Sequence, residues 1–368
     1  MKLFSKLVIV VLVLSVMVAF AGCGTVQDTV PAGDSTASGE AAPAEGSAEQ
    51  SASSGDSGKI SVALLLPGSL NDGGWNANAY AGLMELKDEG YEVAFTESVE
   101  ISAIEEAFTN YASKGFDLIV GHGFEFGEPA MRVAPGFPEV NFFVSGKMPD
   151  GVTVESIPDN MAFMDMKEYE AAYLAGMVAG GVTKSNIIGY VAGLEIPSQL
   201  SDMGAFVMGV EAVNKDAKVY GVVTGTFEDP AKGQEAANAQ IDMGADIICQ
   251  SADSTGMGAM EAAKAKNVYI IGYGGDQNEL FPDLVLTSFI TNNKSVIVTQ
   301  AKKIESGTFG GLWSPGVADG TCYIAPYHDL ENVIPKEIRD QVEKAKEQIK
   351  SGELVIPEIT ERIDEKLS

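Results

Sequence analysis

The side chains with the clearest chemistry lie on loops that directly follow apolar runs. The loop after the run at 60–66 carries Asp72, Trp75 and Asn76, which place a flat indole beside a carboxylate and an amide. A later loop of the same kind carries Phe227. Two aromatic rings on facing loops can sandwich a planar ring, with offset stacking worth about 0.5–1.5 kcal/mol beyond burial. These residues predict a site for a planar, hydrogen-bonding ligand.

Other loops carry weaker candidates. His122 and Phe124 follow an apolar run at 118–120, and Asp253 and Asp276 lie on later strand-end loops. A lone histidine without an evident partner is more often a structural or binding residue than a catalytic base. For any single aromatic residue, the alternative is that it only packs its own loop. That alternative is much weaker for all of the aromatic residues together.

Motifs for catalysis or cofactor binding are missing. The sequence contains no phosphate-binding G-x-x-x-x-G-K-[ST] loop, no G-x-S-x-G elbow and no Rossmann glycine fingerprint after the first apolar run. Two histidines and three cysteines leave little material for a transition-metal site. A net charge of −28 repels nucleic-acid phosphates. We therefore expect no enzyme activity, no cofactor, no metal and no nucleic-acid partner.

The N-terminus has the layout of an export signal. Two lysines precede an apolar run at 7–20, and small residues lead to Cys23. This resembles a bacterial lipobox, with Phe20 in place of the usual leucine, and predicts a signal peptide at 1–22 and a lipid on Cys23. The alternative is an uncleaved membrane anchor, although the run is short of the ~20 residues that span a bilayer.

The segment after the lipid site is predicted to be a linker. Residues 23–58 are rich in Ala, Ser, Gly, Glu and Asp, and lack aromatic and basic residues. Such a composition buries too little apolar area to offset its ordering entropy. In the remainder of the chain, Cys249 lies in an apolar run, which favours free thiols at Cys249 and Cys322 over a disulfide.

From residue 59 onwards, short apolar strands alternate with helical segments. The alternation runs to about residue 164 and then restarts, and a charged helix is predicted at 335–350. This pattern favours parallel sheets covered by helices on both faces. Two such halves predict a cleft between them, with ligands bound outside the carboxyl ends of the strands.

The residues from 59 to about 313 resemble the basic membrane protein family of bacterial substrate-binding lipoproteins, which includes purine nucleoside receptors. The resemblance rests on seven segments: 71–76, 173–176, 188–193, 225–233, 244–248, 276–277 and 285–288. It implies an α/β, type I periplasmic-binding-protein fold, with two Rossmann-like lobes of parallel sheets joined by a three-crossover hinge. The implied lobes are 59–164 plus about 291–320, and 165–290 plus about 321–368.

The resemblance also implies roles for the candidate residues. Trp75 and Phe227 would stack on either side of a purine, and Asp72 and Asn76 would hydrogen-bond to it. Trp75 in the first loop and Asp253 in place of a glycine also resemble a branch suited to a free purine base. The strand-end candidates His122, Phe124, Asp253 and Asp276 complete the predicted ligand site.

Two departures from the nucleoside-binding members bear on the ligand. Gly274 replaces an aspartate that holds ribose hydroxyls, and Thr291 replaces a lysine. Because buried ribose hydroxyls need partners, the sequence favours a free base over a nucleoside.

The expected function is purine capture for an ABC-type uptake system. The protein would be a monomer, lipid-anchored to the cell membrane on its extracytoplasmic side, and would deliver its ligand to an ABC permease. Nucleoside binding, or binding of a sugar or signalling molecule by the same fold, remains an alternative. Few arginines (132, 339 and 362) weigh against a sugar. A nucleoside hydrolase is disfavoured, since it would need an aspartate cluster that binds a metal or an activated nucleophile. The last alternative is a surface adhesin or sensor that retains the binding fold.

Overall fold

The structure is a computed structural model that describes residues 59–361. The predicted signal peptide at 1–22, the lipid site at Cys23, the linker at 23–58 and Arg362 lie outside the described residues. None of the helices within 59–361 combines the length and apolar character that crossing a membrane requires.

The first part of the described chain builds a six-stranded sheet with the strand order β11-β5-β4-β3-β1-β2, in which all strands are parallel. Its elements before the first crossover are β1 (Ser61–Leu65), α1 (Trp75–Asp88), β2 (Glu92–Thr96), α2 (Ile104–Ser113), β3 (Leu118–Gly121), α3 (Gly127–Val133), β4 (Asn141–Val144) and β5 (Met161–Met164). We call the part built on this sheet the first lobe.

A second six-stranded sheet has the order β12-β10-β9-β8-β6-β7 and is parallel except for the edge strand β12, which runs antiparallel to β10. We call the part built on it the second lobe. The remaining elements in chain order are α4 (Glu168–Val182), β6 (Ile187–Ala192), α5 (Pro197–Val213), β7 (Lys218–Val223), α6 (Pro230–Asp242), β8 (Ile247–Ser251), α7 (Asp253–Lys266), β9 (Tyr269–Gly274), β10 (Val285–Thr291), α8 (Asn293–Glu305), β11 (Gly311–Trp313), β12 (Cys322–Ile324) and α9 (Lys336–Ser351).

The chain passes between the sheets three times. It leaves the first sheet after β5 and returns after β10, where α8 packs against α1 of the first lobe. β11 then adds to the edge of the first sheet, and the third crossing leads to β12 at the edge of the second. The predicted two-lobe α/β fold with a three-crossover hinge is therefore present.

The strands read as continuous apolar runs because both faces of each sheet are covered. In β1, Ala63 and Leu65 pack into one cluster with α2 and α3, whereas Val62 and Leu64 pack into another with α1 and α8. All four side chains are fully buried. Alternate residues thus enter two different cores, as expected for a parallel sheet between helical layers.

Two further features agree with the sequence. Cys249 and Cys322 are buried and free. The predicted tail helix corresponds to α9, and its apolar stripe of Val342, Ala345 and Ile349 is buried in the core of the second lobe. The sequence did not predict the short strands β5, β11 and β12.

Candidate ligand-binding cleft

Loops from the two lobes meet at the carboxyl ends of the sheets. The Gln277 side chain of the second lobe donates through Nε2 to the carbonyl of Gly73 in the first lobe, at 3.3 Å. Asn78 of α1 donates through Nδ2 to the carbonyls of Gly274 and Thr291, at 3.0 and 3.2 Å. The predicted candidate loops therefore face a common cleft whose two sides are in direct contact.

Asp72 organises the first loop. Its carboxylate accepts hydrogen bonds from the backbone N–H groups of Gly74, Asn76 and Ala77, at 3.0, 2.6 and 3.0 Å, and from Asn76 Nδ2 at 2.8 Å. It thereby satisfies N–H groups at the start of α1, where a helix leaves its donors unpaired. Asp72 is fully occupied within the protein and orients Asn76, whose Oδ1 is buried without a hydrogen-bond partner among residues 59–361.

Trp75 is held by His122. The indole and imidazole rings stack with centroids 4.3 Å apart and planes inclined by 18°. His122 Nε2 lies 3.2 Å from the carbonyl oxygen of Trp75, and Nδ1 faces the hydroxyl of Ser145. Because a carbonyl only accepts, Nε2 carries the proton and Nδ1 accepts from Ser145.

His122 is uncharged at neutral pH. Burial lowers the pKa of His122 to about 3, against the smaller opposing effect of its hydrogen bond to Trp75. The neutral ring covers one face of the indole, so only the opposite face of Trp75 can stack on a ligand. His122 thus supports the Trp75 ring, and both of its ring nitrogens are engaged by Trp75 and Ser145.

Phe227 is positioned by a glycine. A Cβ built on Gly193, in the loop after β6, would lie 2.1 Å from Cε1 of Phe227. The half-buried phenyl ring therefore lies directly on the Gly193 backbone, where any side chain would displace it. Gly193 belongs to a segment on which the family resemblance rests, but its packing role was not visible in the sequence.

Asp253 occupies a strained position at the first turn of α7. Its backbone φ is +47°, a conformation that few non-glycine residues adopt. Its Oδ1 is buried and has no hydrogen-bond partner in the described part of the chain. Burial, followed by the nearby carboxyls of Asp72 and Glu228, raises the pKa of Asp253 well above its usual value. The surroundings of Asp253 thus favour its protonated form.

Two glutamates that the sequence analysis did not single out lie near Asp253. Burial raises the pKa of Glu125, and burial together with the charge of Asp72 raises the pKa of Glu228. The charges of both glutamates also act on Asp253. Their positions after β3 and β7, on strand-end loops, are the signal that could have found them.

The remaining candidates lie further out. Phe124 is 44% exposed. Asp276 is also exposed, and accepts hydrogen bonds from His328 Nε2 at 2.8 Å and from the N–H of Asn278 at 3.1 Å. The adjacent Gln277 is buried instead and links the second lobe to Gly73.

The two positions that depart from the nucleoside-binding pattern are tightly packed. Gly274 has φ +80°, and a Cβ built on it would lie 3.1 Å from the backbone nitrogen of Trp75. Thr291 is fully buried, and its Oγ1 lies 3.5 Å from the Gly274 carbonyl and 3.3 Å from Asn293 Nδ2. Both positions therefore face protein groups.

The cleft offers groups for stacking and hydrogen bonding. Within 59–361, no cluster of three or more His, Cys, Asp or Glu residues is arranged to hold a metal ion. The aromatic rings Trp75 and Phe227, together with the unpaired oxygens of Asn76 and Asp253, fit reversible capture of a planar molecule.

Comparison with known proteins gives consistent relatives. The chain is 29% identical to a purine-binding protein of Brucella abortus over 302 residues, which covers 80% of this chain and 82% of the relative. It is also 29% identical to the ABC transporter nucleoside-binding protein BmpA of Lactococcus lactis over 336 residues, covering 83% and 92%.

A solved structure shows the same fold. An ABC transporter solute-binding protein of Conexibacter woesei is 30% identical and superposes with a TM-score of 0.68, covering 81% of this chain and 99% of the other. The two-lobe architecture is thus the type I periplasmic-binding-protein fold. The model of the Bmp family, described as ABC transporter substrate-binding protein PnrA-like, matches residues 59–360. The chain belongs to this family of extracytoplasmic ABC transporter substrate-binding proteins.

Proposed function

We propose that this protein binds a free purine base in the cleft between its lobes and delivers it to an ABC permease. The observation that carries the proposal is an aromatic stacking surface together with buried oxygens that lack hydrogen-bond partners. One indole face of Trp75 is covered by His122, and the buried Oδ1 atoms of Asn76 and Asp253 have no partner within 59–361. The purine-binding relative from Brucella abortus supports this ligand class.

Each cleft residue has a role in this proposal. Trp75 stacks on the purine from the first lobe and Phe227 from the second. Asn76 and Asp253 hydrogen-bond to the edge of the base, while Asp72 and His122 position their neighbours. Phe124 covers the ligand at the exposed rim, and Asp276 holds the loop that carries Gln277.

The close packing of Gly274 and Thr291 supports a base over a nucleoside. An aspartate at position 274 would meet the Trp75 backbone, and the Thr291 hydroxyl is turned towards Gly274 and Asn293. A ribose in this region would bury hydroxyls without partners, at a cost of about 1–3 kcal/mol each.

Transport follows from closure of the lobes. A purine docks on one lobe of the open form, and hinge closure adds the aromatic ring and polar atoms of the other. The permease recognises the closed monomer. Its two lobes are 59–164 plus about 291–320, and 165–290 plus about 321–368.

A lipid on Cys23, with cleavage after residue 22, holds the protein at the extracytoplasmic face of the membrane. Mass spectrometry of the N-terminal peptide tests the anchor, and an unmodified Cys23 would refute it.

Thermal-shift measurements test the ligand. The full-length chain, unfolded and refolded in detergent to remove carried-over ligand, is screened against purine bases, nucleosides, pyrimidines and sugars. A base at ~100 times its dissociation constant should stabilise the protein by ~2.7 kcal/mol. Stabilisation by nucleosides alone would replace the base proposal with nucleoside binding, and stabilisation by sugars alone would overturn the purine proposal.

The two tryptophans provide a matched control. Trp75 lies in the cleft, whereas Trp313 lies on β11 and packs against the core of the first lobe. The Trp75→Phe variant should lose the ligand-induced fluorescence change and bind about 2- to 10-fold more weakly, because the smaller ring loses stacking area. Trp313→Phe should retain both signal and affinity. Equal behaviour of the two variants would place the ligand elsewhere.

A further inference from the structure

Carboxyl groups crowd the cleft without basic partners. Asp72, Glu125 and Glu228 all lie close enough to Asp253 for their charges to act on it. Among the ion pairs of the described chain, none joins any of these four carboxyls to a lysine, arginine or histidine. The neighbouring His122 is neutral. The cleft is thus rich in hydrogen-bond acceptors and poor in cations.

Glu228 brings an acceptor from the second lobe to the first loop. A Cβ built on Gly68, in the loop after β1, would lie 2.7 Å from Glu228 Oε1 and 2.8 Å from Asn76 Nδ2. The carboxylate therefore reaches across the cleft and lies beside the Asn76 amide. Its backbone is fixed by a hydrogen bond from its N–H to Thr226 Oγ1 at 3.0 Å.

Two buried oxygens without partners, on Asn76 and Asp253, and the exposed carboxylate of Glu228 have a common character. Asn76 Oδ1 can only accept a hydrogen bond, the Glu228 carboxylate can only accept, and the Asp253 carboxyl can accept through Oδ1. One of the two Asn76 Nδ2 hydrogens is donated to Asp72. A ligand that pairs with these oxygens must therefore supply N–H donors.

We propose that the cleft selects purines that carry an amino group over purines that carry only oxo groups, and that it rejects phosphorylated purines. Asn76, Glu228 and Asp253 are the residues that make this choice. The inference rests on the proposed purine-binding function and specifies its ligand class.

Hydrogen-bond chemistry explains the preference. The amino group of adenine presents N–H donors to the carboxylate of Glu228 and the carbonyl of Asn76. Next to it, a ring nitrogen can accept a hydrogen bond from the Asp253 carboxyl in its protonated form. An oxo group in the same place presents a lone pair to these acceptors and leaves them unpaired, which sites of this kind reject strongly. A phosphate meets several carboxyls and no cation.

Calorimetric titration of the full-length chain in detergent tests the proposal. Adenine and 2,6-diaminopurine should bind at least ~10-fold more tightly than hypoxanthine and xanthine, corresponding to one hydrogen-bonded contact. Guanine, with one group of each kind, should fall between them. Adenosine monophosphate should give no binding heat.

Two isosteric variants test the assignment of residues. Glu228→Gln and Asp253→Asn retain the shape of the side chain but replace one carboxyl oxygen with an amide NH2 group. Each variant should reduce the ratio of adenine affinity to hypoxanthine affinity at least ~5-fold, because an amide N–H can donate to an oxo group. Glu235→Gln, on the exposed face of α6, is the matched control and should preserve the ratio. Melting curves without ligand establish that each variant is folded.

The outcomes separate this inference from the proposed function. If hypoxanthine or xanthine binds as tightly as adenine, the amino-group inference fails while purine binding stands. If no purine binds, the proposed function itself fails. If both carboxyl variants preserve the wild-type ratio, the selection does not come from these residues and the inference is overturned.

Discussion

At the scale of single residues, Asp72 and Asp253 show how similar side chains on similar loops receive different roles. Both follow strands of the sheets, and both were predicted to contact the ligand. The Asp72 carboxylate accepts four hydrogen bonds from its own loop, whereas Asp253 keeps a buried oxygen unpaired. Residue type and position on a loop predicted that these residues lie at the cleft. Whether each carboxyl is used within its own loop or keeps an unpaired oxygen depends on which N–H donors the folded backbone presents to it. The sequence does not reveal these donors.

Glu168 is a second buried acid whose protonation affects stability. It is the first residue of α4, directly after the first crossover, and its Oε2 accepts a hydrogen bond from the Tyr273 hydroxyl at 3.1 Å. Burial raises the pKa of Glu168 to about 7, from an ordinary value of 4.5, despite the opposing effect of that hydrogen bond. The folded protein therefore binds a proton here that the unfolded chain releases.

The sign of the resulting pH dependence follows. The contribution of Glu168 is fully present below pH 4.5 and is lost as pH rises through about 7. His122 acts in the opposite sense, because its pKa is lowered to about 3: its contribution is present above pH 6.5 and is lost as pH falls. We compare the free energy of unfolding of Glu168→Gln with that of wild type at each pH. The difference should shift in favour of the variant by roughly 2 kcal/mol between pH 5 and pH 8.

Thermal melts between pH 4.5 and 8 measure this difference. Glutamine preserves an acceptor for Tyr273, so the comparison isolates the loss of the titrating proton. The exposed Glu106→Gln variant on α2 serves as control and should follow the wild-type profile. Parallel curves for Glu168→Gln and wild type would contradict the prediction.

At the scale of elements, the contact between α4 and α5 depends on glycines. A Cβ on Gly176 would lie 2.1 Å from the Phe206 carbonyl oxygen, and a Cβ on Gly209 would lie 2.0 Å from that of Tyr173. Both clashes involve backbone, so they can be relieved only by moving the helices apart. These helices cover one face of the second sheet, and their separation would open the core around them.

We therefore expect Gly209→Ala to destabilise the protein by about 2–4 kcal/mol, in spite of the higher helix propensity of alanine. Gly136→Ala is the control, because a Cβ at Gly136 would meet no atom within 4 Å. Chemical denaturation of both variants measures the free energy of unfolding. A Gly209→Ala protein as stable as wild type would show that the helices can separate without loss.

The sequence predicted the long elements better than the short ones. The apolar runs of β1, β6 and β8 are bounded by turns, and their largely apolar character marks them as central strands. The strands β11 and β12 contain three residues each and lie at sheet edges, so too few residues face a core to give a pattern. β5 is apolar throughout, but it precedes a crossover to the other lobe and not a helix of its own.

At the scale of the whole molecule, Asn78 links the two lobes. Asn78, near the start of α1, donates to the carbonyls of Gly274 and Thr291 at the ends of β9 and β10. Its Oδ1 accepts from the N–H of Lys294 at 3.0 Å, at the start of α8. One side chain therefore joins α1 to the second sheet and to the crossover that returns to the first lobe.

This arrangement predicts that Asn78 stabilises the closed form without touching the ligand. The Asn78→Ala variant removes two hydrogen bonds between elements that separate when the cleft opens, so the open state should gain population. A ligand that binds the closed state then loses apparent affinity in proportion to the closed fraction. We expect purine affinity to fall about 5- to 30-fold, mainly through faster dissociation.

Stopped-flow fluorescence of Trp75 and small-angle X-ray scattering test this together. The variant should show a larger radius of gyration without ligand and a dissociation rate increased by a similar factor as the dissociation constant. Asn110→Ala, on the exposed surface of α2, should change neither quantity. A slower association rate with an unchanged dissociation rate would instead mean that Asn78 shapes the site before the ligand arrives. Closure would then have to depend on other contacts between the lobes, such as the hydrogen bond from Gln277 to Gly73 and the ion pair between Lys147 and Glu358.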